Sequence, residues 1–340
     1  MLDRRSPYQE DSYWYYAPNK GAPITFAIWF TISGIWHIYQ CIKYKSWKVT
    51  GILPWSALLF TGGFVLRAVA AWGHWDNLVI YIVSTVLLLA GPPVYEAANY
   101  LILGRILYYI PYHSPIHPGR VFTTFLAMSM VIEVLTGNGG ALVANVENPQ
   151  RKQDIGKGLL KASLILQLVL MAGFLALALR FHYNCRRGGV LNRKLKHALC
   201  VLYCSCGLIT VRTIYRTVEY FTAASLNVSD IKDISPVLKD EWFFWVFEAT
   251  VMYVNTAMLN IFHPMRWLPR SNKTYLARDG VTELEGPGYC DNRPFLLTLF
   301  DPFDLVGLCK NGGRQKRFWE DEAARNFDHN TSSKEGHVAV

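Results

Sequence analysis

The stretch that decides the fold is ALCVLYCSCGLITVRTIYRTVEYFTAA, residues 198–224. It is long enough to cross a bilayer as a helix, yet it carries Arg212, Arg216 and Glu219. Spacings of four and three residues place these side chains on one helical face. An arginine facing lipid at mid-bilayer costs roughly 2.5–3.5 kcal/mol on insertion scales. The charged face is therefore expected to turn inward, towards polar partners on other helices.

The whole chain has the composition of a polytopic membrane protein. Of its 340 residues 51% are hydrophobic and only 17% are charged. The net charge is +9, and all of this excess lies in residues 1–262, because residues 263–340 hold 11 Lys and Arg and 11 Asp and Glu. Basic residues spread over the loops of a membrane domain are topology signals. No basic stretch stands on a soluble module, so nucleic-acid binding is not expected.

Hydrophobic runs near the length that a bilayer requires predict an all-α integral membrane protein with a seven-transmembrane-helix bundle. The predicted spans are 22–42, 52–72, 78–101, 121–144, 159–181, 198–221 and 242–262. Gly91-Pro92-Pro93 is expected to bend the third span, and Arg105 to mark its exit from the membrane, with residues 106–110 along the interface. Gly137-Asn138-Gly139-Gly140 in the fourth span permits either close helix packing, which is favoured, or an unwound segment.

The placement of Lys and Arg orients this bundle. With the N-terminus outside, the inside segments hold fifteen Lys and Arg and the outside segments nine. This count predicts an extracellular segment 1–21, a transmembrane domain 22–262 and a cytosolic, mostly disordered tail 263–340. Asn227 opens an Asn-Val-Ser sequon in a loop that this topology places outside, and it is a glycosylation candidate.

Depths along the spans place six charged residues in the outer half of the bundle. They predict a nearly neutral polar network that contacts a substrate or ligand. Asn255 lies on the face of the seventh span that also carries the last of these glutamates. The alternative is a local pair between Arg216 and Glu219 at the outer surface, with a structural role only. The charged members of the predicted network are Arg67, Arg212, Arg216, Glu133, Glu219 and Glu248.

A second polar group lies in the inner half of the third span, after its prolines. Glu96, Asn99 and Arg105 are candidates for a secondary inner site. Alternatively, Glu96 hydrogen-bonds to backbone carbonyls that Pro92 and Pro93 leave without a donor.

Several chemistries lack their sequence motifs. There is no GxxxxGK[ST], HExxH, CxxC or GxSxG, so neither ATP-driven pumping nor a metal site nor a serine hydrolase is indicated. Cys200 and Cys204 share a helical face, but small packing residues explain them better than a metal pair. We therefore expect no cofactor, no metal and no enzyme activity. The enzyme alternative rests only on intramembrane acids, as in an acid-assisted cyclase that uses Glu96 or Glu133.

The motifs of the chain resemble those of the fungal RTA-like seven-transmembrane proteins, the lipid-translocating exporter family. The match covers most of residues 13–265, and its strongest part is Arg212-x-x-x-Arg216-x-x-Glu219. Many relatives carry an acid near Gly62-Gly63, an Asp at Met128-Ser129, and Asp in place of Glu248; this chain departs at all three. The other matching features are Tyr16-Ala-Pro18, His37, Gln40, PVYEAANYLILGR at 93–105, EVLTGNGGA at 133–141, Gly158, Gln167, Glu241-Trp242 and His263-Pro264.

The resemblance implies seven helices with an outside N-terminus, in the plasma membrane or an internal membrane. It implies movement of, or resistance to, amphiphiles such as sphingoid bases, sterol-like compounds or porphyrins. The leading hypothesis is translocation or export of amphiphilic lipids or hydrophobic toxic compounds, with lipids or amphiphilic small molecules as partners. A receptor or sensor that signals through cytosolic loops and tail is the second hypothesis, and a membrane-embedded enzyme is the third.

Overall fold

The computed structural model describes residues 18–74, 76–116, 118–144, 149–225, 235–269, 271, 273–277 and 282–286. Within these residues the chain is almost wholly helical, and a single short antiparallel hairpin follows the last helix. Residues 242–261 are helical without a break, because a run of π-helix, Trp245–Thr250, joins two α-helical segments. The elements are α1 Ala22–Tyr44, α2 Trp47–Thr50, α3 Ile52–Ala71, α4 Leu78–Tyr109, α5 Pro118–Ala144, α6 Gln150–Arg187, α7 Arg193–Ser225, α8 Pro236–Lys239, α9 Trp242–Phe244, α10 Val251–Ile261, β1 Thr274–Leu276 and β2 Glu283–Glu285.

The long helices run up and down, because short connections join them into an antiparallel bundle. At one end, the backbone N–H of Asn19 donates to the Glu241 carboxylate at 2.9 Å, which ties the start of α1 to the start of α9. At the opposite end, the Asn184 side chain donates to the His113 carbonyl at 3.2 Å, which ties α6 to the connection before α5. We call the first the Asn19 end. The second we call the Lys45 end, after the residue that follows the last residue of α1.

The bundle exposes apolar side chains and buries charged ones. On α1, Ile35 and Trp36 are 63% and 52% exposed, whereas Arg212 is only 3% exposed and Glu248 is fully buried. This inversion of a water-soluble surface is the pattern that lipid selects. Together with the apolar helices and the family established below, it identifies the chain as an integral, multi-pass membrane protein.

Five helices of the described residues are long and apolar enough to cross a membrane. The five do not include α1 or the helical run 242–261, so the count of seven spans, like the orientation, stays a prediction. The five are Ile52–Ala71, Leu78–Tyr109, Pro118–Val143, Gln150–Arg187 and Arg193–Ala223.

Several helices are longer than the hydrophobic runs predicted. α6 has 38 residues, which is about 57 Å at 1.5 Å per residue and exceeds a hydrocarbon core of about 30 Å. The extra turns carry charge, such as Lys152 at the start and Arg186 near the end. Hydropathy locates the apolar window of a helix, but Lys, Arg and Gln continue the helix beyond that window because they are good helix formers.

Of the glycines in this segment of α5, Gly139 serves close packing, the favoured alternative, whereas a Cβ at Gly137 or Gly140 would meet open space. The helix is unbroken through Gly137-Asn138-Gly139-Gly140. A Cβ added at Gly139 would lie 2.9 Å from the Gly156 carbonyl oxygen of α6, and one at Gly156 would lie 2.9 Å from the Gly139 carbonyl oxygen. Only glycine at both positions permits the two backbones to approach this closely.

Arg105 lies inside the bundle, and its place as the membrane exit of α4 stays a prediction. α4 continues to Tyr109, and Arg105 is fully buried. Its guanidinium donates to the carbonyls of Pro269, Ser271 and Thr274, at 3.2, 2.5 and 3.2 Å. These carbonyls belong to the chain after the last helix, which therefore satisfies the buried charge in place of interfacial water.

The beginning of the predicted disordered tail is consequently structured within the described residues. Pro264–Arg266 forms a 3-10 turn, and β1 pairs with β2 so that Thr274 lies opposite Glu285. The Tyr109 hydroxyl donates to the Glu283 carboxylate at 3.1 Å and fastens the hairpin to α4. Just before it, the ring of His263 stacks on Tyr44 of α1, and burial lowers the pKa of His263 to about 4, so the imidazole is neutral at neutral pH.

Candidate functional site

The charged face of α7 meets the last helix through Glu248. The Arg212 Nε lies 3.0 and 2.9 Å from the two carboxylate oxygens of Glu248, and the Arg216 Nε lies 2.9 Å from Oε2. The Glu248 side chain is fully buried, and that of Arg212 is 4% exposed. One carboxylate thus serves two guanidinium groups, in a region where an unpaired charge is very costly.

A widened helical turn positions Glu248. It lies within the π-helical run Trp245–Thr250, where the Thr250 hydroxyl donates to the Trp245 carbonyl at 2.8 Å. Single π turns within α-helices occur frequently at functional sites. Here the wider turn carries the one acid on which both arginines converge.

The second acid of this group lies towards the Asn19 end. Arg216 NH1 donates to the Glu219 carboxylate at 2.6 Å, and the Tyr215 hydroxyl donates to its other oxygen at 3.1 Å. The side chains of Arg216 and Glu219 are 17% and 22% exposed, so this pair is less deeply buried. We call Arg212, Arg216, Glu219 and Glu248 the arginine cluster. It contains two positive and two negative groups and is therefore neutral.

Arg67 pairs with Glu241 and also lies against the Phe244 ring. Its NH2 group donates to Glu241 at 2.9 Å, and its guanidinium carbon lies 4.2 Å from the Phe244 ring centroid. The guanidinium of Arg216 lies 6.0 Å from the same centroid. The Phe244 ring is thus within cation–π distance of both guanidinium groups.

Two points of the predicted network are corrected here. Glu133 makes no hydrogen bond or ion pair with the arginines among the described residues; its side chain is on the exposed face of α5, and Arg212 affects it only by a longer-range Coulombic interaction. The partner of Arg67 is Glu241, which the prediction did not include in the network. Its position just before the seventh span, at the same end of the bundle as Arg67, is the signal that could have identified it.

The predicted secondary inner site divides into two. Glu96 is buried and accepts hydrogen bonds from the Gln167 amide at 2.9 Å and the Tyr100 hydroxyl at 3.3 Å, while Tyr100 also lies 3.1 Å from the Ser129 hydroxyl. We call Glu96, Tyr100, Ser129 and Gln167 the Glu96 cluster. Glu96 thus bonds to side chains of α4 and α6, and Ser129 of α5 joins the cluster through Tyr100. The partners of Glu96 are not the carbonyls that the prolines leave without a donor.

Asn99 and Arg105 lie outside that cluster. Asn99 donates to the Ser205 hydroxyl of α7 at 2.9 Å, whereas Arg105 binds the carbonyls after the last helix as described above. The grouping of all three residues into one inner site is therefore corrected. Asn227, the glycosylation candidate, lies outside the described residues. Within the described part, no group of three or more His, Cys, Asp and Glu side chains could hold a metal ion.

Asn255 is fully buried on α10, and both polar atoms of its amide lack a hydrogen-bond partner among the described residues. Such an amide costs stability, and native proteins contain few of them. We expect Asn255→Leu, which keeps the volume and removes the polar atoms, to leave the melting temperature of the purified protein unchanged or to raise it. Asn255→Ala is the control and should lower it, because a cavity remains. A lower melting temperature for the leucine variant than for the alanine variant would contradict this.

A cavity of about 270 Å³ opens beside the arginine cluster. Arg67, Arg216 and Glu219 form its polar part, and leucines of α4 and α6 form most of its apolar wall. Leu89, one of the wall residues, is also 37% exposed on the outside of the bundle. The cavity therefore has a charged part and an apolar part, and its wall reaches the surface that faces lipid. The residues of α4, α5 and α6 in this wall include Leu88, Leu89, Thr136, Leu160 and Leu164.

Comparisons with known proteins agree with this architecture. A family model described as "RTA1 like protein" matches residues 55–271. "Lipid-translocating exporter-like protein RTA1" of Leptosphaeria maculans is 39% identical over 301 residues, which is 85% of this chain and 58% of that protein. A protein of the same name from Ajellomyces capsulatus is 30% identical over 294 residues, 82% of this chain and 88% of its own.

More distant relatives have related names. "Protoporphyrin uptake protein 1" of Saccharomyces cerevisiae is 25% identical over 279 residues, 70% of this chain and 88% of that protein. No solved structure matches. The chain spans 58% of the length of the Leptosphaeria relative, so the activity of that whole protein is not transferred to it here. Membrane transport is the class of function that the relatives' names support, and the chain belongs to the RTA1-like protein family.

Proposed function

We propose that this protein translocates amphiphilic lipids or hydrophobic toxic compounds across its membrane. The cavity beside the arginine cluster is the observation that carries this proposal, since it joins a charged part to an apolar wall. Arg216 and Glu219 present one positive and one negative group there, which suits a zwitterionic or singly charged headgroup. The relatives named as lipid-translocating exporters support the same class of substrate.

The size of the cavity indicates how an amphiphile would be held. Pockets that enclose a whole drug-sized ligand occupy about 300–1,000 Å³, so a cavity of about 270 Å³ suits a headgroup and the first part of a chain. The remaining tail would stay in lipid beside Leu89. The protein then lowers the cost of moving the polar head, which is the large barrier to unassisted crossing.

The proposal includes seven spans with the N-terminus outside. α1 has 23 residues and the last helical run, 242–261, has exposed apolar side chains such as Trp242 and Ile261, as a lipid-facing helix requires. Basic residues such as Lys43, Lys45 and Arg186 concentrate at the Lys45 end, which favours that end as the cytosolic one. The cavity would then open in the outer leaflet, in the plasma membrane or an internal membrane.

Filling the cavity tests the proposal. We expect Leu164→Trp to reduce lipid translocation about tenfold, because the larger ring occupies space that the headgroup needs. The measurement is the translocation rate of fluorescent phosphatidylcholine and of a fluorescent sphingoid base in vesicles that contain the full chain. Val169→Trp on the same helix is the matched control, since Val169 is 61% exposed to lipid. Equal rates in Leu164→Trp and in the parent, or no rate above empty vesicles with either probe, would refute the proposal.

A further inference from the structure

The Glu96 cluster lies beyond the lining of the cavity, towards the Lys45 end, as residue positions along four helices indicate. Each of the helices α4, α5, α6 and α7 carries one residue that lines the cavity. Three to seven positions further towards the Lys45 end, the same helix carries a residue that belongs to the Glu96 cluster or interacts with it electrostatically. At 1.5 Å per residue these offsets correspond to about 4–11 Å. The pairs are Leu89 and Glu96 on α4, Thr136 and Ser129 on α5, Leu164 and Gln167 on α6, and Arg216 and Arg212 on α7.

The carboxyl of Glu96 has only neutral donors. Gln167 and Tyr100 supply its hydrogen bonds, and neither carries a charge. The nearest cation on α7, Arg212, has Nε within 3.0 Å of both oxygens of Glu248. Since the arginine cluster is neutral, it has no spare positive charge for Glu96. An ionised carboxylate in this buried position would lack the counter-charge that it needs.

Other ionisable groups near Glu96 do not supply that counter-charge. α5 contributes Glu133 and α7 contributes Cys206 as well as Arg212, and these groups interact with Glu96 through space. On α4 itself the neighbour is Tyr100. α6 contributes Gln167, which does not titrate, and α3 packs against this part of α4 through the Phe60 ring and the Ser56 hydroxyl, which bonds to the Gly91 carbonyl.

The prolines of α4 lie between the cavity wall and this carboxyl. Pro92 and Pro93 have no backbone N–H, so the carbonyls of Leu88 and Leu89 lack their usual donors within the helix. Leu88 and Leu89 both line the cavity, and Glu96 follows seven positions after Leu89 on the same face of α4. A carbonyl without its helical donor can accept a hydrogen bond from water, and these two carbonyls lie about two helical turns before Glu96.

We propose that Glu96 is a proton-binding site between the cavity and the Lys45 end. In the described conformation the carboxyl is neutral and holds its proton. When water from the cavity reaches Glu96, the O–H bond of the acid breaks, the proton passes to that water to form hydronium, and the carboxylate remains; the reverse step restores the acid. The ligand is H⁺, delivered as hydronium. Coupling of this exchange to translocation rests on the proposed function, whereas the exchange itself does not.

Infrared spectroscopy of the full chain in lipid nanodiscs tests this without any substrate. A protonated carboxylic acid has a C=O stretching band that a carboxylate lacks. We expect such a band at mildly acidic pH, its disappearance in Glu96→Gln, its retention in the control Glu133→Gln, and its progressive loss as the pH is raised to mildly alkaline values. A band that persists across that range identifies a permanently neutral structural acid and overturns the proposal, as does its absence at every pH.

Two conservative variants keep the test decisive if Glu96→Gln does not fold. Tyr100→Phe removes one hydrogen bond and retains the carboxyl, so the band should shift in frequency and its pH midpoint should move. Glu96→Asp should retain a titrating band. If both variants show the band of the parent unchanged, the band does not arise from Glu96 and the proposal fails. Because no lipid probe is used, this result is independent of the translocation rates.

Discussion

Replacing Glu248 with glutamine is expected to destabilise the bundle by about 3–5 kcal/mol, which is the usual cost of removing one partner from a buried ion pair. Glu248 is fully buried, and its two oxygens bind Arg212 and Arg216. Glutamine keeps the size and can still accept a hydrogen bond, but Glu219 then remains as a counter-charge for Arg216 alone, and Arg212 loses its carboxylate. The arginine cluster changes from neutral to a net charge of +1 inside the membrane.

The melting temperature of the detergent-purified protein, followed by size-exclusion chromatography after heating, measures this effect. We expect a decrease of roughly 10 °C for Glu248→Gln. Glu219→Gln is the matched control. Its side chain is 22% exposed, and partly solvated pairs contribute only about 1 kcal/mol or less, so its decrease should be small.

A second substitution separates charge imbalance from simple loss of contacts. In Glu248→Gln combined with Arg216→Gln the cluster is neutral again, because Arg212 and Glu219 remain. This double variant should recover part of the lost melting temperature, as expected for residues that act in one network. Two results would contradict this: equal melting temperatures for Glu248→Gln and Glu219→Gln, or a decrease in the double variant that equals the sum of the decreases of its two single variants. In either case Glu248 is not the counter-charge on which both arginines depend.

The central part of this site was predictable because its signal is local. The spacing of Arg212, Arg216 and Glu219 depends only on helix periodicity, and the cost of lipid exposure turns that face inward. Glu248 was identifiable as a partner from its depth, and the structure brings it against both arginines. Depth along a helix, however, does not determine which way a side chain points. Glu133 has a suitable depth, but among the described residues it makes no hydrogen bond or ion pair with either arginine and interacts with Arg212 only through space.

The remaining contacts depend on features that hydropathy does not register. Glu241 precedes the last hydrophobic run, so a search within spans omits it although it binds Arg67. The π-helical run around Glu248 inserts a wider turn that side-chain periodicity at 3.6 residues does not anticipate. In the sequence alone, Arg105 has the appearance of a residue at the end of a span. Its acceptors could not be predicted, because they are backbone carbonyls without a sequence signature and lie more than 160 residues further along the chain.

Arg105→Leu is expected to release the chain after the last helix and to destabilise the protein by about 3 kcal/mol or more. Arg105 is fully buried and donates to three carbonyls, and hydrogen bonds to charged groups contribute about 1.5–3 kcal/mol each. Leucine fills much of the space but leaves those carbonyls without their charged donor. We expect residues 263–269 and strand β1 to lose protection in hydrogen exchange, while α4 remains protected near Glu96.

Tyr109→Phe is the matched control, because it removes only the hydrogen bond to Glu283 and preserves the aromatic ring. It should reduce protection in β2 and lower the stability by about 1 kcal/mol. Arg105→Lys distinguishes charge from geometry: lysine keeps the positive charge but lacks the planar fork that reaches several acceptors at once, so it should resemble leucine more than arginine. If exchange in residues 263–269 and strand β1 is the same in the parent and in Arg105→Leu, the buried guanidinium does not hold this segment, and its charge must be stabilised in another way.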